Sequence, residues 1–158
     1  MTFKIGTLPL ENGGTLGIAP LPGRFNAGLA DIATIVKWAP DLVISTTEPE
    51  EMARHNVEDL QGLLKTCDIA WQGFPIRDFG VPETPHNWPA ISRHAHDILD
   101  AGGRIFAHCY GGQGRSGMVL LRLMIERGHA PEQALKELRN IRPGAVETDA
   151  QFHWASTL

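Results

Sequence analysis

Two residues of this chain have the types and the spacing to make and break a bond to phosphorus. Cys109 and Arg115 stand six positions apart in His108-Cys109-Tyr110-Gly111-Gly112-Gln113-Gly114-Arg115-Ser116-Gly117. The stretch follows a short apolar run, Ile105-Phe106-Ala107, and leads into Met118-Val119-Leu120-Leu121. That order reads as a strand, a tight glycine loop and a buried helix. The glycines let successive backbone N–H groups turn inward, and the helix N-terminus adds its positive dipole end, so the loop is shaped for an anion. Wrapping once, it brings Cys109 and Arg115 to one concavity. Amide dipoles and a guanidinium favour the thiolate, the nucleophilic form of a cysteine. The planar arginine fork grips two phosphate oxygens at once, which a lysine cannot do. A bare Cys-x5-Arg also fits an ordinary glycine turn around an inert cysteine. That plainer reading leaves unexplained the histidine before the cysteine, the several glycines and the hydroxyl after the arginine. No Gly-Lys-Ser/Thr is present, which disfavours nucleotide hydrolysis.

Phosphoryl transfer from an ester also requires a proton for the leaving oxygen, and neither a thiolate nor an arginine supplies one. The best candidate is Asp78 in Phe74-Pro75-Ile76-Arg77-Asp78-Phe79-Gly80-Val81-Pro82, with Glu83 as the second choice. Asp78 follows an expected strand and sits in a loop punctuated by glycine and proline, although a turn aspartate is often merely solvated. Tyr110, Phe79 and the 20–25 segment are the expected pocket walls.

The elements that must hold these residues follow from periodicity and breakers. An edge strand and hairpin are expected over residues 1–15, with turn signals from Leu8 to Gly14. Leu16–Ala19 reads as a strand closed by Pro20, and Leu29, Ile32, Ile35 and Val36 give a helix from about 27 to 38. A buried strand over 41–47 comes next, then a helix capped by Asn56 and carrying Val57, Leu60, Leu63 and Leu64. A strand over 69–76 follows, then a helix capped by Asn87 that stops at Gly102-Gly103. The strand 104–109 runs into the apolar helix 115–127; further helices start at Pro131 and Thr148. Strands separated by helices imply an α/β fold: a single domain over 1–158, with a mostly parallel central sheet flanked by helices and the site at the strand carboxyl ends.

His-Cys-x5-Arg-Ser at 108–116 resembles the signature of the cysteine-dependent dual-specificity and protein tyrosine phosphatases. With Pro75-Ile76-x-Asp78-x-Gly80-x-Pro82 and Leu16-Gly17-Ile18-Ala19-Pro20-Leu21-Pro22-Gly23, the chain looks closest to the kinase-associated phosphatases, which act on cyclin-dependent kinases. The likeness runs over about residues 16–155. It implies a protein tyrosine phosphatase-like fold in which Cys109 attacks phosphorus to form a phosphocysteine. Backbone amides of Tyr110, Gly111, Gly112, Gln113, Gly114 and Arg115, together with the Arg115 fork, hold the phosphate oxygens. Asp78 protonates the leaving oxygen and then takes a proton from the hydrolytic water. Ser116 hydrogen-bonds the departing thiolate, and His108 orients the loop. Tyrosine-specific members of the wider family commonly place a glutamine near the water, in Gln-Thr-x-x-Gln. Here Glu147 replaces the first glutamine, and Gln151 also reads as the end of a Thr148-x-x-Gln151 capping box.

The 158 residues carry a net charge of −4, which argues against a general nucleic-acid or anionic-membrane partner. With two cysteines and no apolar leader or membrane-length run, the expected setting is reducing and cytoplasmic. Cys67 reads as a core residue, with a regulatory disulfide to Cys109 left open. No metal or cofactor is called for; His94 and His96 point apart on a helix. The expectation is therefore a monomeric protein phosphatase acting on phosphotyrosine, and on phosphothreonine or phosphoserine as further substrates, in a phosphorylated protein or peptide, a kinase among the options. Two alternatives stay open. One is an inactive phosphate-binding or kinase-scaffold module; the other is a phosphoinositide or RNA 5′-phosphatase, which the uncharged loop interior disfavours.

Overall fold

The computed structural model describes residues 2–11 and 13–158; Met1 and Asn12, the latter in the expected hairpin turn, lie outside the described residues. The central strand is β5 (Arg104–His108), whose apolar run Ile105-Phe106-Ala107 is wholly buried. It pairs in parallel with β2 (Thr15–Ala19) on one side and with β3 (Leu42–Ser45) on the other, so that Ala107 lies opposite both Ile18 and Ile44. β4 (Ala70–Gly73) extends the sheet beyond β3 in parallel, and β1 (Gly6–Pro9) closes the other edge antiparallel to β2. The order is β1-β2-β5-β3-β4. The mostly parallel α/β sheet read from the sequence is the fold observed.

Side-chain alternation divides the sheet between two cores. Leu16, Ile18, Leu42, Ile44, Ile105 and Ala107 face one cluster, completed by α4 (Trp88–Asp100), α5 (Gly114–Glu126), α6 (Pro131–Ile141) and α7 (Asp149–Ser156). Val43 and Phe106 face the other, with Ile32 and Ile35 of α1 (Gly28–Trp38), Met52 of α2 (Pro49–Arg54) and Leu60 and Leu64 of α3 (Leu60–Lys65). Strands covered on both faces read as continuous apolar runs. Helix α5 is buried along nearly its whole length, and this fixes the loop before it rigidly against the sheet.

Four expectations are corrected. Asn56 caps no helix: it adopts a left-handed φ of 58°, and α3 begins only after Asp59. A short helix, α2, precedes it, started by Pro49 and a Glu48–Glu51 capping box. Asn87 stands at the N-cap of α4 without a side-chain cap bond. The strand expected over 69–76 is regular only over 70–73, although Phe74 and Ile76 still donate backbone bonds to Ser45 and Thr46 at 2.9 and 3.0 Å.

Cys67 is exposed rather than core. It precedes β4, whereas Cys109 follows β5, and the parallel register sets those positions at opposite ends of the sheet. Both thiols are free, and no disulfide joins them.

Candidate active site

The loop from Cys109 to Gln113 leaves the carboxyl end of β5 and enters the N-terminus of α5. Gly112 has φ +69°, and a side chain there would strike the Ala19 and Pro20 backbone, so only glycine lets the loop close against β2. The loop carbonyls face outward and are held there. Leu21 N–H donates to the Tyr110 carbonyl at 3.1 Å, and Gly117 and Val146 N–H donate to the Gln113 carbonyl at 2.9 and 3.1 Å. Arg142 donates through Nε to Gly112 O and through Nη2 to Gly111 O, both at 2.8 Å. With the oxygens out, the N–H groups turn in. Among the described residues, those of Tyr110, Gly111, Gly112, Gln113, Gly114 and Arg115 donate to no protein acceptor. A ring of unspent donors at a helix N-terminus is an anion cradle.

Cys109 is 2% exposed, and its Sγ lies 3.1 Å from Ser116 Oγ. Arg115 is 1% exposed. Its Nη1 and Nη2 donate to Glu51 Oε2 and Oε1 at 2.7 and 2.8 Å, and Nη1 also donates to Ile76 O at 3.0 Å. Arg115 Nε is buried without a partner, a rare condition for a strong donor. Burial works against both charges, yet the mutual hydrogen bonds win. Arg115 is held above the usual guanidinium pKa and Glu51 below the usual carboxylate range.

Asp78 reaches the same cluster. Its Oδ1 lies 3.3 Å from Arg115 Nη2 and accepts the Phe79 N–H at 3.0 Å, while half of the side chain stays exposed. Glu83 lies instead among Pro82, Pro85 and His86 in a neighbouring cavity of about 360 Å³. The site cavity, of about 390 Å³, is lined by Glu48, Glu51, Arg54, His55, Arg77, Asp78 and Tyr110. The Tyr110 ring has the Arg24 guanidinium 4.7 Å from its centroid and the His55 ring at 5.4 Å; of the expected walls only Tyr110 lines this cavity, with Arg24 behind its ring, and Phe79 is not part of the lining. The Gln113 side chain packs over Gly144, so only its backbone faces the cradle.

His108 is fully buried, and burial pushes its pKa down to about 4. Its Nε2 meets Ser45 Oγ at 2.6 Å, and Ser45 Oγ in turn accepts the Trp71 Nε1–H at 2.8 Å. The partner of Nδ1 is a carbonyl, Cys109 O at 3.4 Å, which only accepts, so Nδ1 carries the ring proton and the serine hydroxyl donates to Nε2. A neutral His108 is a brace for the loop, not an acid.

The sequence thus named Cys109, His108, Arg115, Ser116 and Asp78, and the fold gathers all five. It missed Glu51, Ser45, Trp71, Arg142 and Ile76 O. Glu48-Pro49-Glu50-Glu51 carried a usable signal for α2, a proline at N1 followed by acids in the first turn. Among the described residues no group of three or more His, Cys, Asp or Glu can hold a metal ion.

A family model described as cyclin-dependent kinase inhibitor 3 (CDKN3) matches residues 33–135. The chain belongs to that family. Cyclin-dependent kinase inhibitor 3 of Rattus norvegicus is 32% identical over 107 residues, an alignment covering 66% of this chain and 50% of that protein. The chain spans about half the length of the curated relatives it matches. Of solved structures, a kinase-associated phosphatase with serine substituted for its catalytic-site cysteine superimposes with a TM-score of 0.84 at 25% identity, covering 98% of this chain and 93% of that one. Tk-PTP in its active form follows at TM-score 0.70 and 26% identity, covering 94% and 92%. The CDKN3 family match and these superpositions give the chain the protein tyrosine phosphatase-like fold.

Proposed function

We propose that this CDKN3-family chain is a cysteine-dependent protein phosphatase that hydrolyses phosphotyrosine, and phosphothreonine or phosphoserine as further substrates. One observation carries the reading: the loop that follows Cys109 carries the unspent N–H donors of residues 110–115, and the buried Arg115 Nε beside them is also without a partner. They match an oxyanion-rich group in flight between two atoms.

The substrate phosphate enters the cradle with its three free oxygens on the amides and Arg115. Cys109 Sγ forms a bond to phosphorus as the bond to the ester oxygen breaks, and Asp78 gives its proton to that oxygen. The resulting carboxylate then accepts a proton from water, whose oxygen attacks phosphorus. The sulfur–phosphorus bond breaks, inorganic phosphate leaves, and the Ser116 hydroxyl donates to the thiolate as it forms. His108 holds the loop throughout. The chemistry needs a free thiol, which supports a reducing, cytoplasmic setting. The catalytic-cysteine context and the name of the kinase-associated phosphatase support a phosphorylated protein, a kinase among the options, as the partner.

The test is phosphate release from a phosphotyrosine peptide in EDTA, comparing wild type with Cys109→Ser. The expected result is turnover that survives the chelator and vanishes in the variant. A folded, reduced wild type that binds phosphate without turnover would make the chain a phosphate-binding module instead.

A further inference from the structure

Gln151 is one of few buried uncharged polar side chains, with 0% exposure. It lies on α7, outside the elements that build the anion cradle, and each end of its amide is spoken for. Its Oε1 accepts the N–H groups of Glu147 and Thr148 at 2.9 and 3.2 Å, and its own backbone N–H goes to Thr148 Oγ1 at 3.1 Å. That much is the capping box of α7. The remaining end does something a cap does not require. Gln151 Nε2 donates to the carbonyl of Gly80 at 3.1 Å, spanning 71 positions of sequence.

Gly80 closes the turn that presents Asp78. Its own N–H donates to Arg77 O at 2.8 Å, and between them Phe79 sits in a left-handed conformation at φ 61° with its N–H on Asp78 Oδ1. Neither bond anchors the turn to the body of the protein, for both are internal to residues 77–80. Phe79 is 60% exposed and adds little packing in their place. Val81 packs against the core just after the turn; among the described residues the polar ties from 77–80 outward are the 3.3 Å approach of Asp78 to Arg115 and the Gln151 bond to Gly80.

We propose that Gln151 is a positioning residue for the general acid, a strut from the N-terminus of α7 that fixes the 77–80 turn so that Asp78 stands over the cradle. The proposal rests on the phosphatase reading for its catalytic consequence, but not for its structural one. It assigns Gln151 a role distinct from placing the hydrolytic water, since its Oε1 is occupied twice over and its Nε2 is turned to Gly80.

Leaving groups separate the two roles. The specificity constant, kcat/KM, covers formation of the phosphocysteine and not its hydrolysis. A proton from Asp78 is needed for a poor leaving group such as phenolate and hardly at all for 2,4-dinitrophenolate. Wild type, Asp78→Asn, Gln151→Glu, Gln151→Met and Thr148→Ala would be compared on phenyl and 2,4-dinitrophenyl phosphate. Gln151→Glu keeps both cap acceptors and loses the donor; Gln151→Met loses the donor without adding charge; Thr148→Ala weakens the cap and keeps the strut. Asp78→Asn is expected to cost about 100-fold or more on phenyl phosphate. Both Gln151 variants are expected to lose about tenfold on phenyl phosphate and less than about twofold on the dinitrophenyl ester, with no such split in Thr148→Ala. An equal loss on both esters, no loss, a split in only one Gln151 variant, or the same split in Thr148→Ala would overturn the strut.

Amide hydrogen exchange supplies the readout that needs no turnover. Exchange across residues 77–81 should accelerate in both Gln151 variants while 109–117 keeps its wild-type protection; unchanged exchange at 77–81 overturns the proposal. A wild type inactive on both esters would sink the phosphatase reading and leave the strut to be decided by exchange alone.

Discussion

Glu51 grips Arg115 end-on, Oε2 to Nη1 at 2.7 Å and Oε1 to Nη2 at 2.8 Å, with the arginine almost wholly buried. The pairing occupies the two outer nitrogens and leaves Nε without a partner. A guanidinium held this way cannot rotate, so under the proposed function its contribution to phosphate binding is fixed before the substrate arrives.

Removing one partner of such a pair strands a buried charge, which costs more than the pair itself contributes. Glu51→Gln is expected to lower stability by about 3–5 kcal/mol and kcat/KM by about 100-fold. The double variant Glu51→Gln/Arg115→Met should recover much of the stability and none of the activity. Urea unfolding of Glu51→Gln, Arg115→Met, the double variant and wild type measures the coupling. Additive losses in the double variant would mean that the two residues do not act as a pair.

Ser116 lies 3.1 Å from Cys109 Sγ, and in the proposed mechanism its hydroxyl serves the thiolate as leaving group and not as attacker. A hydrogen bond to a charged group contributes roughly 1.5–3 kcal/mol, so Ser116→Ala should slow phosphocysteine hydrolysis by about 10–100-fold. The first step should be nearly unaffected. Rapid-quench kinetics should then show a burst of alcohol release followed by a slow phase, with kcat lowered and kcat/KM close to wild type. Equal losses in both constants would place the serine in the first step.

What the sequence made legible and what it hid divide by range. Cys109 to Ser116 is a local motif: the glycines, the nucleophile and the clamp sit in one loop, so spacing alone reveals the concavity. Asp78 was named from its place after a strand together with the family resemblance, since a turn aspartate alone reads as merely solvated, and its carboxylate does come within 3.3 Å of Arg115. Glu51 was not, because its partner lies 64 positions away and nothing in a six-residue helix announces a buried ion pair. Asn56 misled because asparagine serves both as a helix cap and as a left-handed turn residue, and here the turn prevails. Cys67 misled because cysteine is usually buried, whereas the end of α3 leaves it in solvent. Gln151 was half read: the cap is local, and its bond to Gly80 is not.

Burial lowers the His108 pKa from 6.5 to about 4, so the folded state prefers the neutral ring. The stability this confers is complete above pH 6.5 and is lost as pH falls toward 4, a loss of about 3 kcal/mol. Wild type should weaken measurably between those values, and His108→Gln should flatten that limb of the stability curve. Urea midpoints at pH 7, 5.5 and 4.5 test this; parallel curves for the two proteins would show that His108 does not govern the acid limb.

A second acid-labile center lies away from the loop. Glu126 of α5 accepts from Trp88 Nε1 at 3.0 Å, Ser92 Oγ at 2.7 Å and Arg122 Nε at 2.9 Å, and meets His96 Nε2 at 3.0 Å. Desolvation alone would raise its pKa, but these bonds outweigh it and bring it to about 2. Arg122 in turn donates to the Trp154 and Thr157 carbonyls, so one carboxylate ties α4, α5 and the end of α7 together. Because the folded pKa is depressed, the stability it confers is present above pH 4.5 and is lost as pH falls toward 2. At neutral pH the contribution is about 3 kcal/mol. Glu126→Gln should therefore lose about that much at pH 7 and a diminishing amount below pH 4, while kcat/KM at 25 °C stays within about twofold of wild type, since no contact of Glu126 reaches the cradle. Thermal unfolding at pH 7 and pH 3 checks the first part, and aryl phosphate turnover checks the second. A variant as stable as wild type at pH 7 would show that the four bonds only offset the cost of burying the charge.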